Sequence, residues 1–479
     1  MNYSMIRYTL GWLLLFEAAF LGIPLITAAV YGESAFFAFL GVIAITLALG
    51  ILLTRWRPES TVLYAREGFV IVALSWIVLS VFGGIPFLFA GSTKSFVDAL
   101  FESASGFTTT GASIFTAVEW LPKSILMWRS FTHWIGGMGV LVFIMAFLPL
   151  SGGQNLHIMR AESPGPEVSK LVPRVKKTAI ILYAIYFAIT AICFISLIIA
   201  DMPVFDAINT AFATAGTGGF AIKNDGFASA SAAQQIIVTV FMLLFSINFN
   251  SYYLILKLRF REAFNSEVRA FLLIVAAAIG ITTVNIYLNM QEIYPTVGEA
   301  LRHSAFTVGS IISTTGFAST DFNAWPELSR IVVVMIMFIG ACAGSTGGGI
   351  KVSRIVILFK GVSRELKNLI HPKQVTKINI DGRPVNHEVV RSVNAYIACY
   401  VLVFAVSIIA LSFQNMDLVT NFTAVAACLN NVGPGLEGAY ANYADFSVFS
   451  KLVLTADMLI GRLELFPMLV LFSPSAYKR

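Results

Sequence analysis

Charge is what this sequence has least of. Asp, Glu, Lys and Arg make up 12% of its 479 residues, about half of what a soluble domain carries. No stretch is long and polar enough to form a soluble domain of any size. Cysteine is also sparse. Cys193, Cys342, Cys399 and Cys428 all lie in apolar segments without metal-ligand spacing, which excludes a disulfide framework and a zinc site and leaves small core residues. The five histidines, His133, His157, His303, His371 and His387, show no ligand spacing either. A nucleophile–base pair or metal cluster at a membrane interface is lacking, so a membrane-embedded enzyme is the least supported class. The first apolar run, 10–30, is too long for a signal-peptide core and has no small-residue cleavage site, so it is expected to remain as a helix.

What the chain has in abundance is apolar length. Mean hydropathy is +0.80 and 57% of residues are hydrophobic. Runs of about 20 residues recur from end to end, each enough for a bilayer core of about 30 Å. The formal net charge of +6 would suit nucleic acid, but its distribution does not. With the spans assigned below, 24 of the 32 Lys and Arg fall on one side. They are Arg7; Arg55, Arg57 and Arg66; those in 160–177, 257–269 and 351–391; and Lys478 and Arg479. This positive-inside pattern places both termini and these connections in the cytoplasm of a multi-pass membrane protein, with lipid and not nucleic acid around it.

The spans fall into a hairpin, 1–60, and four units, 61–160, 161–262, 263–370 and 371–479. In the hairpin the spans are 8–31 and 34–54. Each unit has a spanning helix, a short half-apolar segment ending in a Gly-containing turn, and a second spanning helix. The helices are near 67–91 and 123–149, 177–200 and 231–257, 268–290 and 327–359, and 388–412 and 447–472. The segments between them, 99–111, 207–219, 300–316 and 421–433, are too short to span and suit re-entrant half-helices buried in protein. The sequon at Asn421 falls in one of them and is not expected to carry a glycan. The predicted fold class is therefore an all-α integral membrane protein. Four helix–pore-loop–helix repeats surround one pore in pseudo-fourfold arrangement, with an N-terminal two-helix hairpin added.

The four turns align as Thr109-Thr110-Gly111, Thr217-Gly218-Gly219, Thr314-Thr315-Gly316 and Asn431-Val432-Gly433, with glycines 108, 97 and 117 residues apart. A cation crossing a pore must exchange its water for fixed oxygens, and rings of backbone carbonyls supply them. Aiming successive carbonyls at one axis needs backbone angles that glycine permits. A half-helix whose C-terminus faces the pore adds partial negative charge there. Each glycine taken alone could be a simple turn or a close-packing position; four in register carry the argument. Asp225, Asp321 and Glu437 follow three of the turns and could concentrate cations at the outer mouth, or be solvated loop acids.

In each second helix the pattern weakens at one offset from the turn: at 136–139, 246–250, 340–349 and 461–462. The run Gly344-Ser345-Thr346-Gly347-Gly348-Gly349-Ile350-Lys351 is not a nucleotide loop, because Ile350 separates Gly349 from Lys351 and the run interrupts an apolar segment. It is expected to be a movable intramembrane loop beneath the turns, biased by a cytosolic partner through Lys351 and Arg354; the alternative is a helix-packing face. Arg462, mid-way along a span, is expected to face the pore at the depth of this loop, with a scaffold pair to Asp457 or Glu464 as the alternative. Glu17 has no evident partner. His133, beside Trp134, suits packing better than proton relay.

In these residues the chain resembles the Trk/Ktr/HKT superfamily of potassium transporters, in its TrkH/TrkG branch. The resemblance covers nearly the whole chain. It rests on the four one-glycine turns, on the run from Ala343 to Lys351, on Gly461-Arg462 and on the extra N-terminal hairpin. It implies a homodimer with one pore per protomer in the cytoplasmic (inner) membrane. It also implies a cytosolic TrkA-type ring that binds NAD and ATP or ADP, with nucleotide only on that partner and no prosthetic group. Potassium is the implied ion, held at the twelve turn residues, because Gly111 is glycine and not serine. The gating residues are then Gly344, Ser345, Thr346, Gly347, Gly348, Gly349, Lys351 and Arg462. The fourth turn, Asn430-Asn431-Val432, departs from the Thr-rich pattern. Channel-like uptake is the leading expectation, ahead of potassium–proton or potassium–sodium symport on the same scaffold.

Overall fold

The computed structural model describes residues 1–58, 60, 63–139, 175–372 and 377–477. The end of the expected span 123–149, His157, the basic connection before 175, and Lys478 and Arg479 lie outside the described residues. Six described helices are long and apolar enough to cross a bilayer. A seventh span results if the bent pair Ala232–Phe245 and Phe249–Leu256 counts as one. Among the described residues the β structure is one antiparallel pair, Asn379–Ile380 with Arg383–Pro384.

Four outer helices, Ala65–Phe89, Val175–Ile199, Ser266–Asn289 and His387–Ser412, each precede a pore helix: Phe96–Phe107, Val204–Gly216, Val297–Ile312 and Leu418–Leu429. The pore helices have 12, 13, 16 and 12 residues, about 18–24 Å at 1.5 Å per residue and so short of the bilayer core. Their N-termini each carry an acid: Asp98, Asp206 and Glu299 in the first turn, and Asp417 as the capping residue. Those acids complement the positive end of the helix dipole and leave the negative end facing inward. Inner helices follow, beginning as Lys123–Gly137, Ala232–Phe245, Glu327–Ile339 and Val448–Arg462.

Packing closes these pieces into a ring. Every outer helix packs on its own pore helix, and every inner helix packs on the pore helix of the next repeat, the fourth returning to the first. The loops beyond the turns are linked in the same order. Val118 N–H donates to Asn224 (2.8 Å), Phe227 N–H to the Ala318 carbonyl (2.8 Å), Glu437 N–H to Asn323 (2.9 Å) and Tyr443 N–H to the Ser113 carbonyl (2.8 Å).

The N-terminal hairpin packs against the first repeat. Its first span, Tyr3–Tyr31, is one span as expected, with a break in the helix pattern at Leu21 between Tyr3–Phe20 and Gly22–Tyr31. Pro24 lacks the N–H that would bond back to Phe20, and its ring crowds that carbonyl. The other arm, Ala35–Thr54, crosses closely at Gly11 and Gly50, where a Cβ on either glycine would lie 3.1 Å from the other's carbonyl oxygen.

All four inner helices break near one level. The first ends at Gly137, and the second turns by 90° between Phe245 and Phe249. The third is interrupted from 340 to 351 and resumes as Val352–Ile370. The fourth ends at Arg462 and resumes as Phe466–Phe472. The fourth break falls just after Gly461-Arg462 and not on it. Glu464 and Leu465 take φ of 55° and 65° there, a left-handed reversal that no glycine announces.

Candidate functional site

Every pore helix ends in the same hydrogen-bonded cap. Thr109, Thr217, Thr314 and Asn431 sit in the left-handed region, with φ of 55°, 53°, 60° and 55°. The next residue's N–H then reaches back five positions: Thr110 to Ser105 (2.9 Å), Gly218 to Ala213 (2.9 Å), Thr315 to Ser310 (2.8 Å) and Val432 to Ala427 (2.8 Å). This is a Schellman cap, usually built on glycine. Three threonines in that role are each strained by roughly 1–2 kcal/mol, held there by the surrounding packing. Asparagine tolerates the conformation better, which gives the departure in the fourth turn a physical reason.

One residue further on, Gly111, Gly219, Gly316 and Gly433 have φ of 83°, 82°, 83° and 97°. A Cβ on Gly111 would land on the Gly218 carbonyl oxygen, on Gly219 on that of Thr315, on Gly316 on that of Val432, and on Gly433 on that of Thr110. Each glycine thus abuts the middle carbonyl of the next repeat, and the cycle closes. All twelve turn residues are brought together. The four glycines line one vestibule of about 390 Å³, which also holds Asp225 and Asp321. Glu437, the third expected acid, is instead paired with Arg330.

On the other side of the turns lies a cavity of about 120 Å³, lined by Gly344, Ser345, Gly347, Gly348, Gly349, Lys351, Gly461 and Arg462. The interrupted segment packs directly under the turns. Gly348 N–H donates to Thr314 Oγ1 (2.6 Å) and Gly349 N–H to the Asn430 carbonyl (3.0 Å). Thr346 donates to the Phe245 carbonyl at the neighbouring helix break (3.1 Å). Arg462 ties three repeats together. Its guanidinium donates to the Thr346 carbonyl (2.8 Å), to Thr109 Oγ1 (3.2 Å), and to the carbonyls of Gly137 (3.1 Å) and Gly136. The scaffold acids are engaged elsewhere: Asp457 accepts from Ser407 (2.7 Å) and Glu464 pairs with Arg354. Lys351 is 2% exposed, with its ammonium on the Gly347 carbonyl, and Arg354 is 6% exposed. Both basic side chains are spent inside the protein, Lys351 on the Gly347 carbonyl and Arg354 on the Ile350 carbonyl and Glu464.

The description "cation transport protein" belongs to the TrkH family model, which matches residues 34–478. The chain belongs to the TrkH family. It is 36% identical over 487 residues to the Trk system potassium uptake protein TrkH of Salmonella typhimurium, covering all of both proteins. It is 32% identical over 457 residues to TrkG of Escherichia coli, covering 94% of this chain and 93% of that one. The crystal structure of the potassium transporter TrkH from Vibrio parahaemolyticus matches with a TM-score of 0.91 at 34% identity, covering all of both chains. Members of this family are transporters and not enzymes.

Several residues that shape the TrkH-family site escaped sequence reasoning. His133, fully buried, accepts from Phe220 N–H at Nε2 (3.1 Å), and its Nδ1 lies 2.8 Å from the Gly106 carbonyl. Its ring thus joins pore helix 1 to the second turn. One helical turn earlier, Arg129 pairs with Glu102 (2.7 Å) and donates to the Ala221 carbonyl (3.2 Å). Two basic groups four apart on one helix face were the available signal. Tyr443 donates to the Gly433 carbonyl (2.8 Å), and Asn431 to Thr110 Oγ1 (3.0 Å) and the Met458 carbonyl (2.9 Å). Asn431, already expected in the fourth turn, is thus also a strut across the seam between repeats four and one, and only that second role was missed.

Proposed function

We propose that this chain is the membrane subunit of a potassium uptake system, conducting potassium across the cytoplasmic membrane. Backbone carbonyls at Thr109, Thr110, Gly111, Thr217, Gly218, Gly219, Thr314, Thr315, Gly316, Asn431, Val432 and Gly433 replace the ion's water. The cyclic contact of each turn glycine with the next repeat's carbonyl carries this reading, because it orders four carbonyls around one axis. The run 344–349, held by Arg462 and Lys351, is the gate beneath. Potassium is read from the names of the relatives and from glycine at all four turns. On this reading the basic connections are cytoplasmic, the chain works as a homodimer, and a nucleotide-binding cytosolic ring shifts the loop between closed and open populations.

Rubidium uptake by the purified chain in liposomes tests the proposal. Uptake down a potassium gradient, with sodium excluded, supports it; equal sodium and rubidium flux refutes the filter assignment. A second reading, cotransport with a proton, is favoured by one observation. Both carboxylate oxygens of buried Glu17 and one of buried Asp457 lack hydrogen-bond partners among the described residues, as suits acids that hold a proton. Uptake that halts when the proton gradient is collapsed at constant voltage would select it.

A further inference from the structure

Glu267 lies outside the residues assigned to conduction, at the second position of the outer helix Ser266–Asn289. One of its carboxylate oxygens accepts two backbone N–H groups: Ala343, immediately before the glycine run (2.6 Å), and Ser353, just after it (3.2 Å). Ser353 is in the first turn of Val352–Ile370, where the N–H groups have no helical acceptor and the dipole favours an anion. Ala343 is in irregular backbone. Bonds from a carboxylate to such donors belong to the stronger class, and here they close the mouth of the loop on a single atom.

The residue before Glu267 is held by a different element. Ser266 donates its N–H (2.8 Å) and its hydroxyl (2.6 Å) to Asp381, which also lies 3.6 Å from Arg269. Asp381 and Gly382 form the tip of the small β hairpin, with φ of 49° and 75°, the two left-handed residues that a tight hairpin turn needs. The hairpin is fixed to the helix beyond the loop, since Lys360 donates to the Asn379 carbonyl (2.6 Å) and Ile378 is buried in one cluster with Ile357.

We infer that Glu267 is a positioning residue that clips the two ends of the loop together, and that the exposed Asp381 hairpin is the handle that sets the clip. The inference rests on the reading of 344–349 as a gate. It gives a route from the exposed surface to the loop: displacing the hairpin releases Ser266, and with it Glu267.

Cys342, fully buried beside Ala343, reports on the loop without reference to transport. In the full chain, with Cys193, Cys399 and Cys428 replaced by alanine, the labelling rate of Cys342 by a small aqueous thiol reagent is measured together with rubidium flux in liposomes. Glu267→Ala is expected to raise both by about tenfold or more, the loss of at least one charge-assisted hydrogen bond. Glu267→Gln, which keeps an acceptor oxygen, should lie near the parent. Asp381→Ala should move both readouts less and in the same direction, and should add nothing to Glu267→Ala. Faster labelling without faster flux sustains the clip and removes the gate reading. A folded Glu267→Ala chain with Cys342 still protected and flux unchanged overturns the clip. Should Glu267→Ala fail to insert, Asp381→Ala at the exposed hairpin decides, and unchanged labelling and flux there overturn the handle.

Discussion

At the scale of single residues, glycine matters here where a side chain would displace a neighbour's carbonyl. Gly111→Ser asks an L-residue to hold φ near 83° and puts its Cβ onto the Gly218 oxygen. The left-handed backbone alone costs roughly 1–2 kcal/mol, and every 1.4 kcal/mol is tenfold. Potassium-over-sodium discrimination, measured as paired rubidium and sodium uptake, is expected to fall by about tenfold; unchanged discrimination in a folded variant would take Gly111 out of the filter. Arg462→Ala should raise the rate and leave discrimination nearly intact. A like charge about 4 Å away costs on the order of 4 kcal/mol at an effective dielectric of 20, less with water in the cavity. The same change releases the Thr346 carbonyl from its donor. Arg462→Lys should fall between, keeping the charge without the planar fork. Lower thermal stability with no gain in flux would return Arg462 to the scaffold. The turn glycines were legible in sequence because four recur in register, and Arg462 because a charge is rare at mid-membrane depth. Arg129, His133 and Glu267 were not: each acts by bonding backbone of a segment distant in sequence, and a side chain's reach across a fold leaves no local pattern.

Among elements, the broken inner helices show how far periodicity carries. The breaks at 136–139, 246–250 and 340–349 were readable because glycine, or Ser and Asn, replaced apolar residues where a helix should continue. The fourth was misplaced by a few residues, since Glu464 and Leu465 reverse the chain without any residue that signals it. The half-helices were readable from length, but their Schellman caps were not, because threonine is a poor predictor of a left-handed cap. The third break differs in kind from the rest. It holds twelve residues, 340–351, between Ile339 and Val352, and its bonds run to the turn of its own repeat and to the breaks and turns of repeats two and four. Deleting Gly347 and Gly348 should therefore raise rubidium flux several-fold while the rubidium-to-sodium ratio stays put. It removes the N–H that meets Thr314 and the carbonyl that holds Lys351. Flux that does not change in a normally inserted variant would reduce the run to helix packing.

On the scale of the whole molecule, the ring is the fact from which the rest follows. Four units about a hundred residues long, each with a re-entrant turn, pointed to a ring around one pore. The contacts that close it appear in three dimensions, in the return of the fourth inner helix to the first pore helix, in the Tyr443–Ser113 bond, and in Gly433 against the Thr110 carbonyl. Hydropathy placed the spans, because the bilayer imposes apolar length on each segment separately. The central claim is that this ring passes potassium down its gradient through a carbonyl filter. The most direct test is the reversal potential of the purified chain in a planar bilayer, with potassium on one side and sodium on the other. The account predicts a current that reverses close to the potassium equilibrium potential and does not move when pH differs across the bilayer. A reversal near zero, or one that follows the pH difference, would contradict it.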